Sequence, residues 1–519
     1  MASIDNGETV PNSKILVGMV SLGCPKNLVD GESMLGLLVA RGYGITPDAD
    51  LADLIIVNTC GFIDTAKRES IDAILEMADK KASGRRLALI VTGCLSERYR
   101  ASFPDELPEV DAALGAGEYG RICEVADALV QLYGLGREGP AGRGNPSERV
   151  TTGPPAIKTI PKSPRNVRES TPEQRLEHLK AARVLTNGSG YVYIKIAEGC
   201  DNNCSYCVIP SIRGPYISRP AGDIVAEARR LSAEREIEAV LVAQDTTNYG
   251  SGAAPRGAFC GPDAERAASR TVSQTGTAPL RELVGSLSGI ENVRWIRLMY
   301  AYPDRIDERL AELFSRGNKL LRYIDMPIQH ASSAVLRGMG RKYDQRGLYD
   351  VVATLRRHAP DIVIRTTVMT GFPGESDADF AELAEFIKQA RFDRLGVFAY
   401  SREEGTLAAD LDGQIPEKTA QKRRSELLRV QASVMARLES ERIGREYEAI
   451  VDSGPHTVKG GDAVYRVRTY AEAPEIDGNI RVRAPSISGK PPEPAGPGSF
   501  VRIKITGRDT GGLYGVMLT

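Results

Sequence analysis

Residues 195–214 read KIAEGCDNNCSYCVIPSIRG, placing Cys200, Cys204 and Cys207 at CxxxCxxC directly after the apolar run YVYIKIA. Thiolates ligate iron in clusters, and a short loop can wrap three of them round one cluster, one at each of three irons. Zinc is the obvious competitor, but a closed structural zinc site needs a fourth ligand. The chain has four histidines, His178, His330, His358 and His456, and none is local to this loop. Three ligands on a four-iron cluster leave one iron open, as a substrate-binding site requires. Three unrelated cysteines, or a loosely defined zinc loop, is the competing reading.

Working outward, YVYIKIA begins a series of strand-like segments that continues through EAVLVAQ, VRWIRLMY, LLRYIDM, DIVIRTTVM and DRLGVFAY. Helical patterns such as DIVAEARRLSAE and ADFAELAEFIKQA separate them. Six β/α units predict an α/β fold, an open partial (β/α)6 barrel; the helix count also permits a doubly wound sheet. Upstream, three more β/α rounds, KILVGMVSL, ADLIIVN and RRLALIVTG with their helices, predict a parallel α/β domain.

Each of those three strands is followed by a cysteine, in SLGCPKN, NTCGF and TGCLSE. Cys24, Cys60 and Cys94 stand 36 and 34 residues apart, about one β/α unit each. Right-handed crossovers bring the carboxyl ends of successive parallel strands to one edge, where such sheets bind ligands. Gly23, Gly61 and Gly93 beside the cysteines let the backbone come close to a bulky cluster. The bland reading of a cysteine at a strand end is a small buried hydrophobe, and it weakens when three recur in register. No fourth ligand is evident, so a second cluster with an open iron is expected.

The stretch from Leu135 is rich in Gly, Pro, Ser and Arg and reads as a linker, within which EQRLEHLKAARVL allows a short helix. KTAQKRRSELLRVQASVMARLESERIG reads as one long helix, and the alternating segments beyond it as a small antiparallel β-barrel. The expected divisions are 14–134, a linker over 135–188, the barrel-like domain over 189–416, a connecting helix over 417–444 and the last domain over 445–519.

Length suggests about three domains. The formal charge of −1, from 67 basic and 68 acidic residues, argues against a protein held to nucleic acid by bulk electrostatics. The first residues lack a secretory pattern, and the apolar runs fall far short of the roughly 20 residues of a membrane span. A soluble, cytoplasmic protein with no membrane partner is expected. Eight cysteines are too sparse for a disulfide framework; Cys123 and Cys260 lie outside the motifs.

CxxxCxxC after a first barrel strand resembles the signature of the radical S-adenosylmethionine superfamily. The resemblance implies that the open iron chelates the methionyl amine and carboxylate. One electron then cleaves the sulfonium to a 5′-deoxyadenosyl radical. With the upstream three-cysteine domain and a last domain resembling TRAM, nearly the whole chain is similar to a methylthiotransferase. SLGCPKNLVDGE, VNTCGFIDTAKRES, VAQDTTNYG and LMYAYP resemble the RimO branch; the transfer-RNA branch would carry Gln in place of the Pro25–Lys26 pair. That resemblance implies two [4Fe-4S] clusters, one on Cys24, Cys60 and Cys94 and one on Cys200, Cys204 and Cys207. It also implies two S-adenosylmethionine molecules per turnover. The substrate would be the β-carbon of an aspartate on small-subunit ribosomal protein twelve, free or on the ribosome. An electron donor such as flavodoxin or ferredoxin would serve it. Alternatives are a transfer-RNA methylthiotransferase, acting on the modified adenosine beside the anticodon, and a cluster-bearing binding or electron-relay protein without catalysis.

The segment from about Ser251 to Ala278 is longer than the resemblance leads one to expect, and reads as a disordered insertion or a substrate-facing loop. Further cosubstrate candidates are Tyr206, Gln244, Gly371, Gly374 and Glu375. Against these stand packing for Tyr206, loop-capping for Gln244 and Asp245, and a tight turn for GFPGE. His330 is a proton carrier or a satisfied structural histidine. No protein acid or base is assigned, because the cofactors carry the hard chemistry. From Arg445 onward ten basic residues face nine acidic ones, which does not favour an RNA backbone; substrate grip is the expected role.

Overall fold

The structure, a computed structural model, describes residues 15–82, 87–135, 165–186, 188, 190–251, 277–315, 317–457, 463–484 and 495–518. Most of the linker, most of the segment from Ser251 to Ala278 and Cys260 lie outside these. The described residues fall into two compact units. The first is drawn from 1–187, 198–201 and 208–217, and the second from 188–197, 202–207 and 218–519.

The first unit is a five-stranded parallel sheet: β1 Leu16–Ser21, β2 Gly44–Ile45, β3 Leu54–Thr59, β4 Ala88–Gly93 and β5 Ala112–Leu114, in the order β2-β1-β3-β4-β5. LIIVNT and ALIVTG are buried at every position, as strands covered on both faces must be. On one face, helix α1 (Pro25–Arg41) and the helix Ile122–Tyr133 close a core around Leu35, Ile56 and Leu129, with Cys123 at its margin. On the other, α2 (Asp64–Ala82) covers Ile55, Val57 and Leu89. Asn58 stands opposite Ser21, and Thr59 opposite Gly93, so β1, β3 and β4 end level.

Residues 165–186 pack on this unit as well. Thr171 closes a capping box over the short helix Pro172–Leu176, and a 3₁₀ turn over Glu177–Lys180 follows. Arg183 then pairs with buried Glu32 at 2.5 Å.

In the second unit, β6 (Tyr191–Lys195) opens a six-stranded parallel sheet with β9 (Ile237–Val242), β10 (Val293–Leu298), β11 (Leu320–Asp325), β12 (Val363–Thr370) and β13 (Arg394–Ala399). Between β6 and β9 lies a two-residue ladder, β7 (Ala197–Glu198) with β8 (Ile217–Ser218). The sheet order follows the chain order from end to end. A doubly wound sheet reverses its order part-way, so the partial barrel stands. The helix Glu417–Glu441 lies along its last strands, where Gln431 donates to the Phe392 carbonyl at 2.8 Å and Arg424 to Val397 at 2.9 Å.

The last domain is a closed five-stranded barrel: β14 Glu446–Thr457, β15 Ala463–Arg468, β16 Ile480–Ala484, β17 Phe500–Asp509 and β18 Gly512–Met517. It departs from the purely antiparallel expectation at one seam. β17 pairs with β14 and turns tightly into β18, so β18 closes the barrel by running parallel to β16. No helix among the described residues is long and apolar enough to cross a membrane.

Candidate functional site

The level ends of β1, β3 and β4 bring Cys24, Cys60 and Cys94 together. Cys24 is the N-cap of α1, and Cys94 is the first residue of α3 (Cys94–Arg98). The loops touch through glycine. A Cβ on Gly23 would come within 2.9 Å of the Cys60 Cβ, and one on Gly61 within 2.8 Å of the Cys94 carbonyl oxygen. One on Gly93 (φ +105°) would collide with the Thr59 carbonyl. Buried side chains fasten the loops: Asn58 Nδ2 donates to the Asn27 carbonyl at 2.7 Å, Thr59 Oγ1 to Thr92 at 2.6 Å and Ser70 Oγ to Cys60 at 3.0 Å.

The electrostatics agree with this convergence. Burial pushes the Cys60 thiol up to about 12, with Cys94 and Cys24 adding to the effect. Burial also raises Cys94, against the pull of Arg213. At Cys24 burial is outweighed by Lys26 and Arg213, and the thiol falls below its ordinary value. With the Cys60 and Cys94 thiols pushed up chiefly by burial, ionising all three together calls for a cation, which an iron cluster would supply. Among the described residues no three His, Cys, Asp or Glu side chains are placed to hold a single metal ion. The donor set fits a cluster.

Arg213 ends the short helix Ile209–Arg213 and is 1% exposed. Its Nε donates to Cys94 Sγ at 3.3 Å, Nη1 to Asp30 at 2.7 Å and Glu198 at 3.3 Å, and Nη2 to Asn27 Oδ1 at 3.1 Å. Buried Arg175 donates to the carbonyls of Arg213 and Pro215. His178 Nε2 meets the other oxygen of Asp30 at 2.8 Å.

The second cysteine loop is fastened along its length. Cys200, in the first unit, donates from its N–H to the Gly214 carbonyl at 3.0 Å. In the second unit, Asn202 Nδ2 donates to Asp245 at 2.8 Å, and Arg305 donates to both Asp245 and Asn202. Ser205 donates from its N–H to Met339 and from Oγ to Gly338. Cys204 Sγ lies 3.7 Å from the Tyr302 hydroxyl. Arg341 fills an aromatic cage beside it, its guanidinium 4.5 Å from the Tyr302 ring centroid and 5.8 Å from those of Tyr206 and Tyr343. Tyr206 accepts from Arg341 Nη2 at 2.7 Å, so its side chain packs into this cage.

The late-strand turn is a close-packed corner. Glu375 is buried, accepts from the Gly371 N–H and pairs with Arg423 at 3.2 Å. Gly374 donates to Gly413 at 2.9 Å. His330 is fully buried; its Nδ1 accepts from the Ser332 N–H at 2.9 Å, which leaves the proton on Nε2, 3.7 Å from Glu375. Asp245 caps the 3₁₀ turn Thr246–Asn248, and Gln244 sits half-buried just before it.

Three family models match in succession: an uncharacterised protein family, UPF0004, over residues 16–115, the radical SAM superfamily over 194–387 and the TRAM domain over 443–518. The chain is 40% identical over 502 residues to the ribosomal protein uS12 methylthiotransferase RimO of Acetivibrio thermocellus, covering 97% of this chain and 98% of that protein. It belongs to the RimO family. The RimO of Geobacter sulfurreducens is 39% identical over 508 residues, covering 98% of this chain and all of its own. Among solved structures, the radical S-adenosylmethionine methyltransferase TsrM from Kitasatospora setae, with cobalamin and a [4Fe-4S] cluster bound, covers 75% of each chain at 15% identity and a TM-score of 0.48.

Reading this RimO-family chain from its residues misses Arg213, Asp30, Arg341, Tyr302 and Arg305. Arg213, Asp30 and Tyr302 carry a local signal, since they lie inside the motifs PSIRG, SLGCPKNLVDGE and LMYAYP; Arg305 and Arg341 carry none.

Proposed function

We propose that this chain is a ribosomal protein uS12 methylthiotransferase, adding a methylthio group to the β-carbon of an aspartate. The observation that carries the reading is the convergence of Cys24, Cys60 and Cys94 at one sheet edge, in a chain aligned with RimO over 97% of its length. Those three thiols would hold one [4Fe-4S] cluster, and Cys200, Cys204 and Cys207 the other, with S-adenosylmethionine at its open iron. When bound, these groups supply the radical, the sulfur and the methyl group.

The protein's own residues hold and shield. Asn202, Asp245 and Arg305 fix the approach to Cys204. Tyr206, Tyr302 and Tyr343 around Arg341 keep water from that side of the loop. Of the cosubstrate candidates, Tyr206 lies within this loop and its side chain is held by Arg341. Gln244, Gly371, Gly374 and Glu375 remain candidates for the cosubstrate's methionyl and ribose parts. Holding sulfur, radical and substrate carbon in line is chiefly positioning.

The last barrel carries nearly balanced charge, ten basic against nine acidic residues, and its exposed arginines stand beside acids, as in Arg481–Asp509 and Arg502–Glu446, which supports a protein target over transfer RNA. A flavodoxin- or ferredoxin-type donor and action in the cytoplasm, on free or ribosomal uS12, complete the proposal. Mass spectrometry of uS12 and transfer RNA from a strain lacking the gene tests it. The methylthio group should vanish from uS12 and return with the intact gene, but not with Cys24, Cys60 and Cys94 changed to Ala. Unaltered uS12, or a loss confined to transfer RNA, would overturn the reading.

A further inference from the structure

Burying a guanidinium is costly unless its donors are matched. Arg213 meets that condition in an unusual way: one of its acceptors is the sulfur of a proposed cluster ligand. The planar fork fixes the direction of every N–H, so with Nη1 committed to Asp30 and Glu198 and Nη2 to Asn27, Nε can point only at Cys94. The backbone is equally fixed, because Arg175 donates to the carbonyl of Arg213 itself.

We propose that Arg213 is a positioning residue for the cluster on Cys24, Cys60 and Cys94. It holds the Cys94 sulfur in place and raises that cluster's reduction potential. The inference rests on the cluster assignment made above. Hydrogen bonds to ligand sulfur and nearby positive charge favour the more reduced, more negative state of an iron–sulfur centre. Asp30 and Glu198 oppose that pull. Each is 1% exposed or less, so their charges are little screened by solvent. The potential is therefore a balance in which Arg213, with Lys26 beside Cys24, opposes two carboxylates, and it governs how readily the sulfur-side cluster accepts an electron.

The balance gives a signed test. In the full chain with Cys200, Cys204 and Cys207 changed to Ala, bound iron reports the first site alone. Its midpoint potential is read by redox titration followed by electron paramagnetic resonance, alongside iron and sulfide content. Arg213→Gln should lower the potential, Arg213→Lys should lower it less, and Asp30→Asn should raise it. Should Arg213→Gln fail to fold, the opposite shifts of Arg213→Lys and Asp30→Asn decide the matter. Unchanged potentials with iron retained, or shifts of the same sign in both kinds of variant, would refute the role of Arg213 while leaving the cluster assignment standing. A parent protein that binds no iron would instead refute the assignment on which the role depends.

Discussion

Arg468, in the last barrel, donates to Glu238, on β9, at 2.7 Å, although 230 residues of chain separate them. Neither side chain is more than 1% exposed. Glu238 also accepts from Arg297 at 2.5 Å, Arg468 from its other side meets Asp452 at 2.9 Å, and Arg297 donates to the Tyr470 carbonyl at 2.8 Å. Barrel and parallel sheet thus share one buried ionic network.

Breaking such a network from one side leaves uncompensated charge, a loss of about 3–5 kcal/mol. Glu238→Gln is expected to lower the melting temperature of the full chain by that much stability, measured by calorimetry. Deleting 445–519 strips the same partners from Glu238 and Arg297, so the truncated protein should melt earlier as well as losing substrate grip. Point variants on the barrel surface separate the two effects.

Gly93 predicts the sensitivity of the first site. Alanine there would be strained at φ +105° and would meet the Thr59 carbonyl, pushing Cys94 out of line. Backbone strain of this kind costs about 1–3 kcal/mol. Gly93→Ala should therefore lose about half of the total iron, measured by colorimetric assay, while keeping S-adenosylmethionine cleavage.

Glu97 carries a pH dependence. Burial pushes its carboxyl up to about 7 from an ordinary 4.5, with the Val167 N–H pulling the other way. Arg100, at 3.7 Å and 39% exposed, is too distant and too wet to hold the charge. Between those values the folded state binds a proton that the unfolded state has released, so stability falls as pH rises through the window. The loss is at most about 3–4 kcal/mol at 1.36 kcal/mol per unit. Glu97→Gln keeps an acceptor for Val167 and should flatten the change in urea midpoint between about pH 5 and 7.

At the second site, Asp245→Ala removes the acceptor shared by Asn202 and Arg305. Leaving such donors unmatched costs about 1–3 kcal/mol. With Cys24, Cys60 and Cys94 changed to Ala, this variant should retain less iron and cleave less S-adenosylmethionine; Asp245→Asn should fall between it and the parent.

What could be read from the residues was what repeats locally. The three apolar runs before Cys24, Cys60 and Cys94 announce both the strands and the edge where they end. Strands β2 and β5, with two and three residues, are too short to show a period. The parallel seam of β16 and β18 was illegible because alternation records which face a residue takes, and not the direction of its neighbour. Residues 165–186 look like linker because their partners, such as Glu32 for Arg183, lie 151 positions away. Arg213 escaped for the same reason: Asp30, Asn27 and Cys94 all belong to the far end of the chain. Tyr302, Arg341 and Tyr343 meet Cys204 only once three separate loops have folded.

Asp30 emerges 183 residues ahead of Arg213 during synthesis, and at about 5–20 residues per second the acid waits roughly 10–40 s for its arginine. His178 arrives earlier, after 148 residues, and can hold one oxygen of Asp30 in the meantime. Until Arg213 follows, the first three thiols have neither the guanidinium that meets Cys94 nor the helix that carries it. On the proposed cluster assignment, iron delivered to the nascent chain in that interval would meet an unfinished pocket, so the first site should load only after translation has passed residue 213.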